Sequence, residues 1–216
     1  MISIIGAGGM AGAIGRLAAK AGHSVDVASR DSAKASALAQ EIGLGAVAAE
    51  FGAAPAGDFV VLAVPYGAVL DVVAHYGDAL AGKILIDITN PIAPDLSHFL
   101  NPEGSSGAKE IAKAAPGDVS IVKAFNTQSS QILTAGSVDG RPLDIFIAGD
   151  DAEAKARVSA FIESLGLRSL DAGPLAMAWT LEQACMLWLG VMTHATRHPH
   201  FALSLDITGR THTSSN

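Results

Sequence analysis

The stretch IIGAGGMAGAIG, residues 4–15, decides how the fold begins. It carries five glycines in twelve positions and continues an apolar start, residues 2–5, that predicts a short strand. The segment that follows is rich in alanine and leucine as far as Ala21, and Gly22 ends it, which is typical of a helix. HSVDVAS, residues 23–29, predicts a second strand. The chain therefore opens with a β-α-β unit of about 30 residues.

The same turn has the spacing G-x-G-x-x-A, formed by Gly6, Gly8 and Ala11. A strand before it and a helix after it are the context of a dinucleotide fingerprint. Gly6 permits the tight turn, Gly8 lets a pyrophosphate approach the backbone, and Ala11 keeps the helix close to the strand. The N–H groups of the first helical turn would bind the phosphate. The alternative is a turn that only packs a helix tightly against a strand.

Strand and helix patterns alternate along almost the whole chain. FVVLAV at 59–64 is apolar on both faces, as a central parallel strand is, and LDIFIAG and LRSLDAG extend the pattern as later strands. This predicts an α/β protein with a Rossmann-type, doubly wound, mostly parallel sheet. We expect residues 1–172 to form that domain. Residues 173–216 would form a small C-terminal helical segment, serving as a dimer contact or acceptor pocket, with a disordered tail at 209–216.

The composition and charge of the chain limit the kinds of partner and the compartment that we expect. The chain has 216 residues, a formal net charge of −7 and no long run of Lys or Arg, so we expect no nucleic-acid partner. No signal peptide is visible, and the single Cys185 fits a reducing compartment, so we expect a cytoplasmic protein. The apolar window 175–192 is interrupted by Glu182 and Gln183, which favours a buried amphipathic helix over a membrane span.

The end of the second strand bears on the choice between NAD and NADP. An acidic residue there would accept hydrogen bonds from the ribose 2′-hydroxyl, but the strand ends in VASR. Ser29, Arg30 and Lys34 can together hold a 2′-phosphate, which favours NADP(H). Asp26 and Asp31 lie close by in sequence and keep NAD open as the alternative.

Three short loops follow the predicted strands, at 64–68, 89–92 and 123–127. They offer Pro65 and Tyr66 as rigid surfaces, and Asn90 and Asn126 as hydrogen-bonding groups, for a nicotinamide ring. The alternative is that these residues are ordinary loop punctuation.

Lys123 is the one candidate for a catalytic acid at these loops. It would either orient a substrate or extend to the surface. No His or Glu accompanies it in sequence, which favours an acceptor that needs no proton from the enzyme, such as a flavin or deazaflavin ring.

Five stretches together resemble the NADPH-dependent coenzyme F420 reductases and the related cytosolic domain of the STEAP metalloreductases. They are residues 4–31, VVLAVPYGAV at 60–69, IDITNPI at 86–92, VKAFNT at 122–127 and residues 147–175. The resemblance implies a Rossmann domain with a small helical element, a homodimer, and hydride transfer between NADP(H) and coenzyme F420 or a flavin (FMN or FAD). A non-catalytic NADP(H)-binding sensor or scaffold and a flavin-linked ferric reductase remain alternatives.

The resemblance also implies roles for individual residues. Gly8, Gly9 and Met10 would contact the pyrophosphate, and Ser29, Arg30 and Lys34 the 2′-phosphate. The nicotinamide ribose and ring would lie against Val64, Pro65 and Tyr66, with Asn90 and Asn126 at the nicotinamide end.

Three histidines and an apolar stripe in the C-terminal segment each have a structural and a functional interpretation. His194, His198 and His200 would form a dimer contact or pocket rim rather than a metal site, because no complete ligand set accompanies them and Pro199 ends the helix. The apolar stripe that includes Trp179, Trp188 and Leu187 would be a core or dimer-interface stripe rather than a flavin platform.

Overall fold

The central sheet of the computed structural model, which describes residues 1–206, consists of six parallel strands. They are β1 Ile2–Ile5, β2 Val25–Ala28, β3 Val47–Ala49, β4 Phe59–Leu62, β5 Ile84–Asp87 and β6 Ser120–Lys123. Their order across the sheet is β3-β2-β1-β4-β5-β6. The strand order therefore reverses at a topological switch point that lies between β1 and β4 in the sheet. This confirms the predicted Rossmann-type fold. The tail at 209–216 lies outside the described residues.

Seven helices accompany the described strands. They are α1 Gly9–Lys20, α2 Ser32–Ile42, α3 Tyr66–Tyr76, α4 Gly107–Ala114, α5 Ser130–Ala135, α6 Ala152–Ser164 and α7 Ala178–Val191. Residues of α1, α2, α5 and α6 bury one face of the sheet, and residues of α3 and α4 bury the other. A sheet covered on both faces explains why its strands are apolar on both sides.

Helix starts follow the capping residues in the sequence. Asp31 accepts a hydrogen bond from the Lys34 N–H at 3.2 Å and caps α2. Ser106 accepts from the Lys109 N–H at 3.1 Å and caps α4.

The last two predicted strands do not extend the parallel sheet. β9 Asp144–Ile147 and β10 Arg168–Asp171 form a separate parallel pair. That pair joins the central sheet through an antiparallel bridge between Lys123 and Ala148. A short hairpin of β7 Ser137–Val138 and β8 Arg141–Pro142 precedes it and was not predicted. An apolar run predicts a buried strand but carries no information about its direction, which explains the difference.

The helical part of the C-terminal segment begins with a 3-10 turn, Leu175–Met177, continues as α7 and ends in a π-helix, Met192–Thr196. Its stretch Leu175–Thr196 is, among the described residues, the one helix long and apolar enough to cross a membrane by length and composition. Leu175 and Ala178 belong to the core against α3 and α4, so the start of this segment is packed on the Rossmann domain.

The apolar stripe on α7 divides into two parts. Trp188 is buried, stacks on Phe201 with ring centroids 4.9 Å apart and donates its indole N–H to the Phe201 carbonyl. Trp179 and Leu187 are exposed. The stripe therefore supplies both core and uncovered apolar surface.

Candidate functional site

Glycine occupies positions 6 and 8 of the first turn for two different physical reasons. Gly6 has a φ of +127°, and a Cβ there would lie 2.1 Å from the Ala63 carbonyl oxygen, so only glycine fits. A Cβ on Gly8, by contrast, would have no atom within 4 Å. The turn therefore packs against β4 at Gly6 and leaves open space at Gly8.

That open space lies at the start of α1. Gly8 is the N-cap, no side chain caps the helix, and its first turn holds no acidic residue. The amide groups of Gly9, Met10 and Ala11 have no acceptor within the helix. Unpaired N–H groups beside open space fit a pyrophosphate group.

Ala11 and Gly15 let α1 approach its neighbours. Ala11 is fully buried, and a Cβ on Gly15 would lie 2.5 Å from Cδ1 of Ile42 on α2. Gly15 was not predicted from the sequence, although its position one helical turn beyond Gly12 indicates a close helix contact.

The end of β2 carries the residues predicted to read the ribose. Arg30 is exposed and Ser29 half-buried. Asp26 is buried and accepts a hydrogen bond from Ser3 Oγ at 2.8 Å, so it is withdrawn from a surface-bound ribose. Asp31 caps α2, and its carboxylate lies 3.5 Å from Lys34 Nζ. Arg30 is therefore the main cation at this end, with Lys34 partly occupied by Asp31.

Arg30 also borders a groove of about 170 Å³. Its lining is Arg30, Phe51, Ala68, Asp71, Val72 and His75. The rings of Phe51 and His75 stack with centroids 4.9 Å apart. This mostly apolar groove could hold a flat base. No sequence motif marks Phe51 or His75, so this groove was not predicted.

A second depression, of about 320 Å³, lies against the glycine turn itself. We call it the slot, and its lining is Gly8, Gly9, Met10, Ala63, Val64, Pro65, Tyr66, Ile88, Thr89 and Asn90. It brings together most of the residues predicted to contact pyrophosphate and nicotinamide. Gly6 and Ala11 shape the turn behind it.

Asn126 lies one hydrogen bond behind the slot. Its Nδ2 donates to Asn90 Oδ1 and to the Leu181 carbonyl, both at 2.9 Å, and Asn90 Nδ2 donates to the Asn126 carbonyl. Asn126 is nearly fully buried, so it orients Asn90 and connects the slot to α7.

Tyr66 opens α3 and lies against α4. A Cβ on Gly107 would come within 2.8 Å of the Tyr66 ring, so this glycine makes room for the ring. Burial, followed by the nearby carboxylates of Glu110, Glu182 and Asp87, raises the pKa of Tyr66 to about 12. The phenol therefore stays protonated and can donate a hydrogen bond at neutral pH.

Lys123 does not extend to the surface, and that alternative was wrong. Its side chain is 0% exposed, and its Nζ lies 2.9 Å from Asp87 Oδ2 and 3.0 Å from Glu182 Oε1. Burial alone would lower the pKa of Lys123, but the two carboxylates outweigh it and raise the pKa overall. A buried ammonium needs such partners, and its sequence neighbours supply none.

These three residues, which we call the buried cluster, also hold their surroundings in place. Asp87 Oδ1 accepts from the N–H and the hydroxyl of Thr89, and Lys123 Nζ donates to the Thr89 carbonyl. Glu182 accepts from the N–H groups of Gly107 and Ala108 at the start of α4. The buried cluster therefore ties the wall of the slot to α4 and α7.

The remaining features do not converge on the slot. His194, His198 and His200 are all exposed, and within residues 1–206 no three His, Cys, Asp or Glu side chains are grouped as metal ligands. Two larger depressions, of about 470 and 610 Å³, lie away from the glycine turn.

A Rossmann sheet, a helix start facing open space, a cation after β2 and a slot at the strand ends define a dinucleotide-binding protein. The sequence pattern of the family described as NADP oxidoreductase, coenzyme F420-dependent, matches residues 1–91. An F420-dependent NADP reductase of Methanothermobacter marburgensis is 30% identical over 191 residues, which cover 80% of this chain and 83% of that enzyme. The chain belongs to this family of NADP-dependent oxidoreductases.

Two further similarities extend the comparison. Rat Metalloreductase STEAP3 is 33% identical over 182 residues, but the chain spans only 35% of its length. The crystal structure of a candidate F420-dependent NADP-reductase from Arthrobacter sp. FB24 superposes with a TM-score of 0.82 at 26% identity, over 95% of this chain and 99% of that one. That overlap includes the C-terminal helical segment, so the likeness extends beyond the nucleotide-binding half.

Proposed function

We propose that this protein transfers hydride between NADP(H) and coenzyme F420 or a flavin-like acceptor. The observation that carries the proposal is the convergence of Gly8, Arg30 and Tyr66 along one edge of the sheet, with open space at Gly8. The names of the relatives support the same reaction, since three of them are F420-dependent NADP reductases.

The chain's own residues would bind and orient the cofactor. The first amides of α1 would hold the pyrophosphate, and the exposed Arg30 would form charge-assisted hydrogen bonds to the 2′-phosphate. Pro65, Tyr66 and Asn90 would form the walls around the nicotinamide. When bound, NADPH supplies the hydride. Asn126 and the buried cluster would keep the walls in place, because they bond to Asn90 and Thr89.

The slot's lining favours an acceptor that takes no proton from the protein. Tyr66 is the one titratable side chain among the residues that line it, and its pKa of about 12 suits a hydrogen-bond donor rather than a proton donor at neutral pH. A flavin or deazaflavin can exchange its proton with water, whereas a carbonyl or imine acceptor needs a positioned acid.

Stopped-flow absorbance at 340 nm tests the proposal. Purified protein is mixed with NADPH and, in separate reactions, with F420, FMN, FAD or a ferric chelate. We expect NADPH oxidation with F420 or a flavin, and much slower oxidation for the Arg30→Ala variant at subsaturating NADPH. Binding of NADPH with no oxidation by any acceptor would refute the reaction and favour a sensor or scaffold.

The likeness to STEAP3 makes ferric reduction a second candidate function. The two functions separate in the same assay when flavin is in excess over NADPH: a ferric chelate that speeds NADPH oxidation beyond the rate with flavin alone would indicate flavin-linked ferric reduction. Oxidation with F420 alone would indicate the first function.

We also propose a homodimer. The exposed Trp179 and Leu187 on α7 supply an apolar surface that a second copy would cover. Sedimentation velocity should give a dimer for the wild type and a shift towards monomer for Leu187→Glu. A monomeric wild type at micromolar concentration would refute this.

A further inference from the structure

The buried cluster contains more negative than positive charge. Lys123 supplies one ammonium, while Asp87 and Glu182 supply two carboxylates, and all three side chains are 0% exposed. Among the described residues, no other cationic side chain forms a hydrogen bond or ion pair with either carboxylate. Burial raises the pKa of Glu182 above its ordinary value, and the ammonium of Lys123 opposes that rise. With all three groups ionised, the cluster has a net charge of −1.

Uncharged hydrogen-bond donors stabilise both carboxylates of the buried cluster. The N–H groups of Gly107 and Ala108, 3.2 and 3.4 Å from Glu182, belong to the first turn of α4, where the helix dipole favours an anion. The N–H and hydroxyl of Thr89 bond to Asp87 at 2.9 and 2.7 Å. These donors hold both carboxylates without cancelling their formal charge.

The cluster lies directly behind the slot. Asp87 and Lys123 both form hydrogen bonds with Thr89. Thr89 is itself part of the slot's lining, beside Asn90 and Tyr66. The charge is shielded from water and counterions, so its field reaches the slot with little screening. The nicotinamide ring carries a positive charge in NADP⁺ and none in NADPH.

We propose that the buried cluster places a net negative charge behind the nicotinamide and thereby favours binding of NADP⁺ relative to NADPH. This rests on the proposed function, because it takes the slot to be the nicotinamide site. By thermodynamic linkage, such a bias makes bound NADPH a stronger hydride donor than free NADPH. Asp87, Lys123 and Glu182 act here through their field and have no contact with the ring.

The test is the ratio of two dissociation constants, Kd for NADP⁺ divided by Kd for NADPH, measured by calorimetry at pH 8. Glu182→Gln and Asp87→Asn each remove one negative charge and should each raise the ratio by roughly 3- to 30-fold. The double variant Lys123→Met/Glu182→Gln removes one charge of each sign, so its ratio should return to within about twofold of the wild type.

Two controls separate charge from structure. Glu163→Gln makes the same change in total charge at an exposed site on α6. The adjacent Ser164 contacts His23, which precedes β2, so this site lies at the amino ends of the strands, away from the slot. The variant should leave the ratio unchanged. The fragment 2′,5′-ADP lacks the nicotinamide, so its Kd should be the same in wild type and Glu182→Gln.

Loss of affinity for both nucleotides by the same factor in the single variants, with a constant ratio, would show a structural role and overturn the inference. A double variant whose ratio moves as far as that of Glu182→Gln would also overturn it. A wild type that binds neither nucleotide would refute the proposed function itself.

Discussion

Replacing Lys123 with Met removes the one cation from the buried cluster while preserving most of its side-chain length. Asp87 and Glu182 would then face each other without a counter-ion at 0% exposure. Breaking a buried ion pair by deleting one partner costs about 3–5 kcal/mol. Because two carboxylates lose the same partner here, we expect a cost at the upper end of that range, less what protonation of Glu182 recovers.

Urea unfolding at pH 8 measures this cost, with the slope of the transition compared between variants to confirm that the same surface unfolds. Lys155→Met is the matched control. It removes a lysine that pairs with Asp171 at 2.9 Å, but that carboxylate is half-exposed, so we expect a loss of about 1 kcal/mol or less. The double variant Lys123→Met/Glu182→Gln should be more stable than Lys123→Met, because one uncompensated charge is gone.

A loss for Lys123→Met no larger than that for Lys155→Met would show that the buried ion pairs of Lys123 do not stabilise the fold to this extent. It would mean that Lys123 is solvated or neutral in the folded protein. A raised pKa adds a second check: the contribution of Lys123 is present below its ordinary pKa of 10.5 and is lost as the pH rises through its higher folded value.

Two further predictions concern single sites. Gly8→Val should lower the melting temperature by only a few degrees, because a Cβ there meets no atom within 4 Å and φ is −96°, so that the main cost is a poorer N-cap. It should nevertheless abolish NADPH binding in calorimetry, and a variant that binds normally would contradict the turn's role. Burial alone would raise the pKa of Asp144, but its bonds from Arg168 and the Leu205 N–H lower it overall, so it stabilises the fold above pH 3.8. The difference in melting temperature between wild type and Asp144→Asn should therefore be present at pH 7 and vanish in acid below the lowered pKa; a constant difference would be inconsistent with the ion pair.

The fold was largely predictable because its signals are local. The β1–α1–β2 unit follows from one glycine-rich turn between apolar stretches. The antiparallel placement of β9 depends on how the chain returns after α5, which the apolar residues of Asp144–Ile147 do not encode.

The residues of the site likewise fall into those that local sequence signals predict and those that they do not. Parallel topology places the loops after β4 and β5 at one edge, so Tyr66 and Asn90 could be predicted as neighbours. The partners of Lys123 are 36 and 59 residues away and could not be read from spacing. One signal was available: Asp87, Lys123 and Glu182 each interrupt an apolar run, and buried charges require partners.

We propose that the glycine turn and Arg30 form one site for NADP(H). The decisive measurement is calorimetric titration of NADPH and NADH into wild type and Arg30→Ala. The wild type should bind NADPH more tightly than NADH, and the variant should lose roughly 10- to 100-fold in affinity for NADPH while its affinity for NADH is nearly unchanged. Equal losses for both nucleotides, or a wild type that does not distinguish them, would contradict the claim.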